Sequence, residues 1–359
     1  MLSKDTRETI GIVLLNLGCP DSLEAVRPFL FNLFSDREII RLGPSFLQKP
    51  IARLISLSRS QKSARMYSLI GGKSPILDIT TAQAEALQEG LNTEVEKLGN
   101  SEDKTSQLPG SLPFRARFKV YIGMRYWHPF IKDTVQKIFE DGIKHIIVLT
   151  LYPQYSVATT GSSVSEFKRA VEGFQIKEST LQIQYIQEWY DFPPYIDAVS
   201  DLIYNGISSF QEEKIDILFS AHNLPEKFIR DGDPYVEHTK CTVQEVMKRL
   251  SAEPYNITGT RWHLAFQSKS GPVPWMKPST DEVIVKLAGE GIRNLLVVPV
   301  SFVSDHIETL YEVDMLYHKL AARHGITLKR CQSLNTTGKF INALKELILQ
   351  KVSAQEGER

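Results

Sequence analysis

GIKHIIVLTLYPQYSVATT, Gly142–Thr160, can be laid on GIRNLLVVPVSFVSDHIET, Gly291–Thr309, without a gap. In both stretches a glycine stops a helix, a basic residue follows, an apolar run reads as a buried strand, and a strand-exit loop closes the unit. A second pair behaves alike. GIVLLNLGCPDS from Gly11 and DILFSAHNLPEK from Asp216 each give a buried strand and then a loop that reaches Pro and an acid. The two offsets differ, so these are similar units with insertions and not a tandem array. Chance likeness is the competing reading, because all βα units share this grammar.

Outward from these units, short apolar runs alternate with helical patterns for almost the whole length. Strands are expected near Ile10–Leu15, Phe118–Met124, His145–Leu151, Leu181–Ile186, Ile215–Ser220, His263–Gln267, Asn294–Val300 and Leu328. Helices are expected at Thr80–Leu98, Phe130–Asp141, Ser163–Gly173, Pro194–Tyr204, Pro234–Leu250, Thr280–Gly289 and Gly338–Val352. Continuous apolar strands separated by helices imply parallel sheets covered on both faces. The expected fold class is α/β: two similar doubly wound, Rossmann-like halves with four-stranded parallel sheets and a cleft between them. Residues 1–188 would form the first half, 189–335 the second, and 336–359 a C-terminal helix packing back on the first. Asn100–Pro113 is polar and aperiodic, and reads as a surface insertion.

A length of 359 residues fits two domains. Lys+Arg and Asp+Glu are both 42, so no bulk positive charge exists to grip nucleic acid. Cys19, Cys241 and Cys331 lie far apart, which makes a poor disulfide framework and fits a reducing compartment. The N-terminal stretch carries Asp5 and Glu8 and runs straight into a strand, unlike a signal peptide or presequence. No apolar run approaches the ~18 residues of a membrane span. The expected location is cytoplasmic, and the expected state is a monomer or weak dimer.

Nucleotide signals fail. No G-x-G-x-x-G follows a strand, and Gly72-Lys73-Ser74 lacks the earlier glycine of a phosphate loop, Tyr67 standing in its place. In open parallel sheets, ligands gather beyond the carboxyl ends of strands. There the sequence places FSAHNLP, Phe219–Pro225, with His222 in the exit loop. Such a histidine either bonds a loop carbonyl or serves as ligand or base near neutral pH. SDHIETLYEVD, Ser304–Asp314, places Asp305, Glu308 and Glu312 at three- and four-residue spacing, one line on a helix. That line is either a solvated acidic face or a cation path. One His with a short carboxylate line makes an N/O site for a divalent metal, not a closed structural zinc site. Aromatic loops at Arg125–His128, Tyr152–Tyr155 and Pro272–Trp275 would line a large flat pocket. Phe46–Ser58 reads either as an ordinary packed helix or as an exposed lip touching a membrane surface.

FSAHNLP, SDHIETLYE, LYPQYSVATTGSS, the GGKSP run and FQSKSGPVPWMKPST together resemble ferrochelatase, from about Gly11 to Leu349. The resemblance implies insertion of Fe²⁺ into a porphyrin, protoporphyrin IX first and coproporphyrin III as the alternative, with loss of two ring protons. A non-catalytic porphyrin or haem carrier and a cobalt or nickel chelatase are the competing classes. Carried over by motif, His222 and Glu308 face each other across the porphyrin as catalytic pair and metal contacts, the neutral imidazole acting as base. Glu312 continues a proton or metal path, and Asp305 and His306 support the cluster. Porphyrin binding is implied for Asn16, Leu17, Arg59, Tyr67, Ser74, Arg125, Tyr126 and Trp275, with Arg59, Ser74 or Arg125 meeting propionates. Fe²⁺ enters as substrate, and no cofactor is expected to be tightly bound. Some members carry a [2Fe-2S] cluster on four cysteines; three cysteines, and Val157 in the YPQYSVATT motif, argue against one here. Leu316 stands where relatives extend the acidic line, which shortens any cation path.

Overall fold

The computed structural model describes residues 8–100, 116–174, 181–211, 214–269 and 271–356. The expected insertion at Asn100–Pro113 lies, beyond its first residue, outside them. The first sheet holds β1 (Thr9–Asn16), β2 (Arg117–Met124), β3 (His145–Thr150) and β4 (Gln182–Ile186) in the order β2-β1-β3-β4. The second holds β5 (Asp216–His222), β6 (Trp262–Gln267), β7 (Asn294–Pro299) and β8 (Thr327–Arg330) in the order β6-β5-β7-β8. All pairings are parallel. The orders are one pattern used twice, and the matched sequence units fall on matched strands, β1 with β5 and β3 with β7.

Around the first sheet lie α1 (Val26–Ser35), α2 (Gln48–Leu69), α3 (Ile76–Asn100), α4 (Ile131–Glu140) and α5 (Ser162–Gly173). Then follow α6 (Pro193–Ser208), α7 (Glu226–Arg230), α8 (Tyr235–Ser251), α9 (Thr280–Gly289), α10 (His318–Arg323) and α11 (Gly338–Glu356). The central strands β1, β3, β5 and β7 are buried almost throughout because both faces of each sheet are covered, while the outer strands carry exposed or half-buried polar residues such as Arg117, Gln182 and Thr327. Val13, Leu15 and Val148 pack outward on α4 and α5, while Leu218, Leu295 and Val297 pack on α9 and α10. Ile12 and Leu14 of β1, and Ile217 and Phe219 of β5, face the opposite way into one core shared by the halves. Phe340, Leu344 and Ile348 of α11 are fully buried in that core, each contributing roughly 1.5–3 kcal/mol. Lys345 of α11 also pairs with Glu94 of α3 at 3.0 Å.

Gly142 and Gly291 have φ of 71° and 83°, the left-handed turn that stops a helix ahead of β3 and of β7. The likeness continues past the strands, since each exit loop enters a π-helical segment, Val157–Gly161 and Glu308–Tyr317. Two buried glutamines stitch the halves together. Gln83 of α3 donates to Ser304 Oγ (3.1 Å) and to the Asn335 carbonyl (2.7 Å), and Gln154 donates to Thr242 Oγ1 (3.0 Å). Gln83→Ala strips the donor from one buried and one half-buried acceptor, so chemical denaturation should register a loss of about 1–3 kcal/mol. The α1–α2 hairpin is a feature the sequence reading saw only at Phe46–Ser58. Its apolar face (Val26, Phe29, Leu30, Phe34) meets Ala52 and Tyr67, forming a cluster outside the sheet cores.

Candidate active site

Chain order reverses direction between β1 and β3 and again between β5 and β7, and the crevices at such points are where open α/β sheets bind ligands. His222 ends β5. Its amide donates to Ser301 Oγ (2.8 Å), and the Tyr235 hydroxyl, which is 2.7 Å from the same Ser301 oxygen, donates to the His222 carbonyl (2.9 Å). The ring stands edge-on to Phe302, which in turn lies 4.0 Å from the His306 ring. Glu308 opens the π-helical segment after β7, and its Oε2 sits 2.9 Å from His222 Nδ1. The two therefore do not face each other across a ring as the resemblance implied: they are bonded directly, with no room for a macrocycle between them. The Glu308 carbonyl accepts from Gln267 of β6. Next to it, Ser268 holds a left-handed φ of 72° and donates its hydroxyl to Glu312 Oε2 at 2.5 Å. Three strand ends thus converge on a pair of carboxylates and one imidazole.

Their charges are interdependent. Burial alone would favour neutral His222, but the Glu308 carboxylate outweighs it and moves the imidazole pKa above 6.5. Burial likewise opposes ionisation of Glu308, yet His222 and His306 beside it pull its pKa down to about 2. Burial and the Glu308 charge push Glu312 up to about 7. Below neutral pH, His222 and Glu312 therefore tend to carry protons while Glu308 stays anionic. His306 is buried, which lowers its pKa.

The acidic line read from spacing is shorter than expected. Asp305 precedes the helical segment, and its carboxylate takes Arg330 (2.9 Å), Ser333 (2.7 Å), Asn335 (2.9 Å) and the Thr309 hydroxyl (2.9 Å). It anchors the start of the segment instead of joining Glu308 and Glu312. A helical reading missed this because Asp305 lies in the loop ahead of the segment, which becomes π-helical only from Glu308.

The first half supplies the opposite wall. Gly18 takes φ 72° at the exit of β1, where a Cβ would come within 2.9 Å of the Trp127 amide nitrogen, and so turns Cys19 inward. The buried Cys19 thiol meets the hydroxyls of Ser74 and Tyr67; burial pushes its pKa up to about 12, with Glu308 adding to the rise. Burial and Cys19 also raise Tyr67, and the Glu308 charge reaches it too. Ile307 packs on this same cluster, which brings Glu308 close enough for its charge to act on Cys19 and Tyr67. Asn16 is buried, donating to Thr80 Oγ1 (3.1 Å) and accepting from the Leu17 amide (2.8 Å). Arg59 lies over the Phe34 ring, 5.3 Å from its centre. Trp275 pairs with Pro225 beside the β5 exit loop.

Arg125 and Tyr126 are engaged elsewhere: both bond Asp36, at 2.6 and 2.7 Å, and Tyr126 is 1% exposed. Ser268, Tyr235, Ser301 and Cys19 were not singled out by sequence reasoning. Ser268 and Ser301 lie in strand-exit loops the sequence had marked; Tyr235 carries no local signal. Among the described residues, no three His, Cys, Asp or Glu side chains gather closely enough to hold a metal ion.

In fold, the chain is similar to SirB from Bacillus subtilis solved with Fe³⁺, at TM-score 0.54, 12% identity and 98% coverage of both chains. A cobalt complex of the sirohydrochlorin chelatase SirB from the spizizenii subspecies gives a TM-score of 0.50 at 12% identity, again with 98% of both chains covered. The twin doubly wound sheets thus define a chelatase-type α/β fold. A family model described as Ferrochelatase matches residues 9–352. Curated proteins named Ferrochelatase are 45% identical in Desulfotalea psychrophila (95% of this chain, 96% of the relative) and 45% identical in Geobacter metallireducens (95% and 98%). The Synechocystis protein of that name is 44% identical, over 96% of this chain and 83% of its own length. The chain belongs to the ferrochelatase family and is a metal chelatase.

Proposed function

We propose that the protein inserts Fe²⁺ into protoporphyrin IX, with His222 and Glu308 on one side of the ring and the Cys19–Tyr67–Ser74 wall on the other. The observation that carries this reading is the His222–Glu308 pair, at 2.9 Å, with the Glu308 charge reaching Cys19 and Tyr67 of the other half. Metallation must take two protons from pyrrole nitrogens and give the ion a transient donor. A carboxylate held anionic, beside an imidazole, supplies both at one point. Ser268 bonds Glu312 and lies next to Glu308, which supports Glu312 as the next proton acceptor towards solvent. Asp305 and His306 hold the segment's entry in place.

Arg59, Tyr67, Ser74, Trp275, Asn16 and Leu17 are assigned to the ring and its propionates. Arg125 and Tyr126 act from behind this wall. Protoporphyrin is favoured over the more polar coproporphyrin by the apolar lip. Phe46 is 75%, Leu54 67% and Leu69 58% exposed, with Lys49 and Arg53 among them. Such a face suits peripheral contact with the inner side of the cell membrane by a cytoplasmic monomer or weak dimer. Among the described residues, no helix is long and apolar enough to cross a membrane. We also assign no iron–sulfur cluster: Cys19 lines the cleft wall, Cys331 is buried in the shared core, and Val157 takes the motif position.

Anaerobic incubation of the protein with Fe²⁺ and each porphyrin, followed through the Soret and Q bands, tests the assignment. Conversion of protoporphyrin at a kcat/KM above that of coproporphyrin is expected. The reverse order would move the substrate to coproporphyrin, and binding without metallation would make the protein a carrier.

A further inference from the structure

We propose that Asp36 is a positioning residue for porphyrin binding, fixing the α1–α2 hairpin against the cleft through a charged clasp. The inference rests on the porphyrin reading of the cleft. Asp36 is the residue that closes α1. Its Oδ2 accepts from Arg125 Nη2 (2.6 Å), the Tyr126 hydroxyl (2.7 Å) and Ser162 Oγ (2.9 Å), while Oδ1 accepts the Glu38 amide (2.8 Å). Arg125 donates its Nε to the same Ser162 oxygen at 2.8 Å. One carboxylate therefore joins the end of α1, the exit of β2 and the first residue of α5.

The charges close a ring. Arg125 approaches Glu166 at 3.7 Å, Arg169 bonds Glu166 at 3.0 Å, and Arg169 returns to Glu38, two residues from Asp36, at 3.1 Å. The strength lies in the inner pair, since Asp36 and Arg125 side chains are 6% and 13% exposed against 51% for Arg169. Exposed pairs are weakened by water and salt, whereas a buried carboxylate facing three donors is not readily replaced. Asn32 adds a bond to the Tyr126 carbonyl, and Gln48 ties the start of α2 back to the Phe34 and Ile40 carbonyls.

The hairpin needs such a device. It lies outside both sheet cores and touches the body through the small cluster around Tyr67 and Tyr126. Apolar packing resists separation but sets angle poorly; directed bonds to a rigid strand end set it well. α2 carries Arg59 and Tyr67, so a rotation about residue 36 displaces both from the ring. Arg125 then serves the porphyrin through Asp36 and not by touching a propionate.

The test compares Asp36→Asn, Asp36→Glu and Ser162→Ala with the wild type in the metallation assay, in porphyrin titrations and in limited trypsinolysis at exposed Arg41. Asp36→Asn should raise the porphyrin KM and Kd about tenfold or more while kcat and the KM for Fe²⁺ stay within about threefold. Cleavage after Arg41 should accelerate, and Asp36→Glu should recover part of the affinity. If Asp36→Asn does not fold, Ser162→Ala, which removes one donor without stranding a charge, should raise the porphyrin KM about threefold. An unchanged or lower porphyrin KM in the soluble variants overturns the clasp, as does a kcat falling in step with KM. Wild-type protein that fails to metallate any porphyrin would instead overturn the cleft reading, and the clasp with it.

Discussion

His222→Ala is expected to lower the rate of metal insertion by about 10²–10⁴-fold while porphyrin still binds within a few-fold of wild type. The size follows from removing a positioned base from a step that must strip protons from weakly acidic nitrogens. Binding survives because the assigned ring contacts come mostly from the first half and from Trp275. Glu308→Gln should lose at least as much, since it removes the anion that holds His222 and would face the ion. The pair also predicts a pH profile. Glu308 raises the pKa of His222, so the imidazole stays protonated to higher pH than a free histidine. A base must first be neutral, and the rate should therefore fall with decreasing pH along a limb lying above 6.5. In Glu308→Gln the residual activity should lose acid sensitivity, its limb shifting downward as burial is opposed only by the Glu312 charge. Anaerobic rates across the neutral range, with porphyrin saturating, measure all three proteins. A His222→Ala enzyme with near-wild-type turnover would leave the family intact and the mechanism wrong.

Much of this architecture could be read from letters because each half repeats one unit. The gapless match of Gly142–Thr160 to Gly291–Thr309 announced β3 and β7, and the runs around Ile12 and Ile217 announced their central partners. Buried parallel strands leave a signal that survives without long-range information, an unbroken apolar run closed by glycine. The α1–α2 hairpin left a weaker trace. Its apolar face is buried by its own partner helix and by Tyr126, a residue 90 positions from Asp36.

The site divides along the same line. His222 and Glu308 stand at strand exits, where topology alone sends functional groups. The π-helical backbone at Glu308–Tyr317 was invisible, because its sequence obeys helical spacing while its hydrogen bonds do not. Spacing placed Asp305 in the acidic line, but it stands in the loop ahead of that segment, where Arg330, from β8, holds it. Ser268 was equally hidden. Its effect depends on a left-handed backbone and on a partner 44 residues distant.

Glu312 brings the cost of this arrangement into measurable stability. Its pKa is raised from 4.5 to about 7, so the folded state holds a proton that the unfolded chain releases. For a raised carboxyl the favourable term is complete below pH 4.5 and is lost as pH climbs to about 7, where the folded group ionises too. That difference corresponds to about 3 kcal/mol, an upper figure because neighbouring Glu308 titrates with it. Glu312→Gln removes the titration but keeps an oxygen for the Ser268 hydroxyl. Its stability relative to wild type should therefore rise by about 2–3 kcal/mol between about pH 5 and about pH 8, read from urea unfolding at each pH. Glu308 works in the opposite sense: its depressed pKa stabilises the fold above 4.5 and loses that effect towards about 2, outside this window. The same substitution should slow metallation, since the neutral amide cannot take the proton that Glu308 passes on. A more stable, slower enzyme is the outcome expected of a residue kept for chemistry against its own burial penalty. Equal unfolding free energies for both proteins at the two pH values would show that Glu312 ionises freely, and would remove it from the proton path.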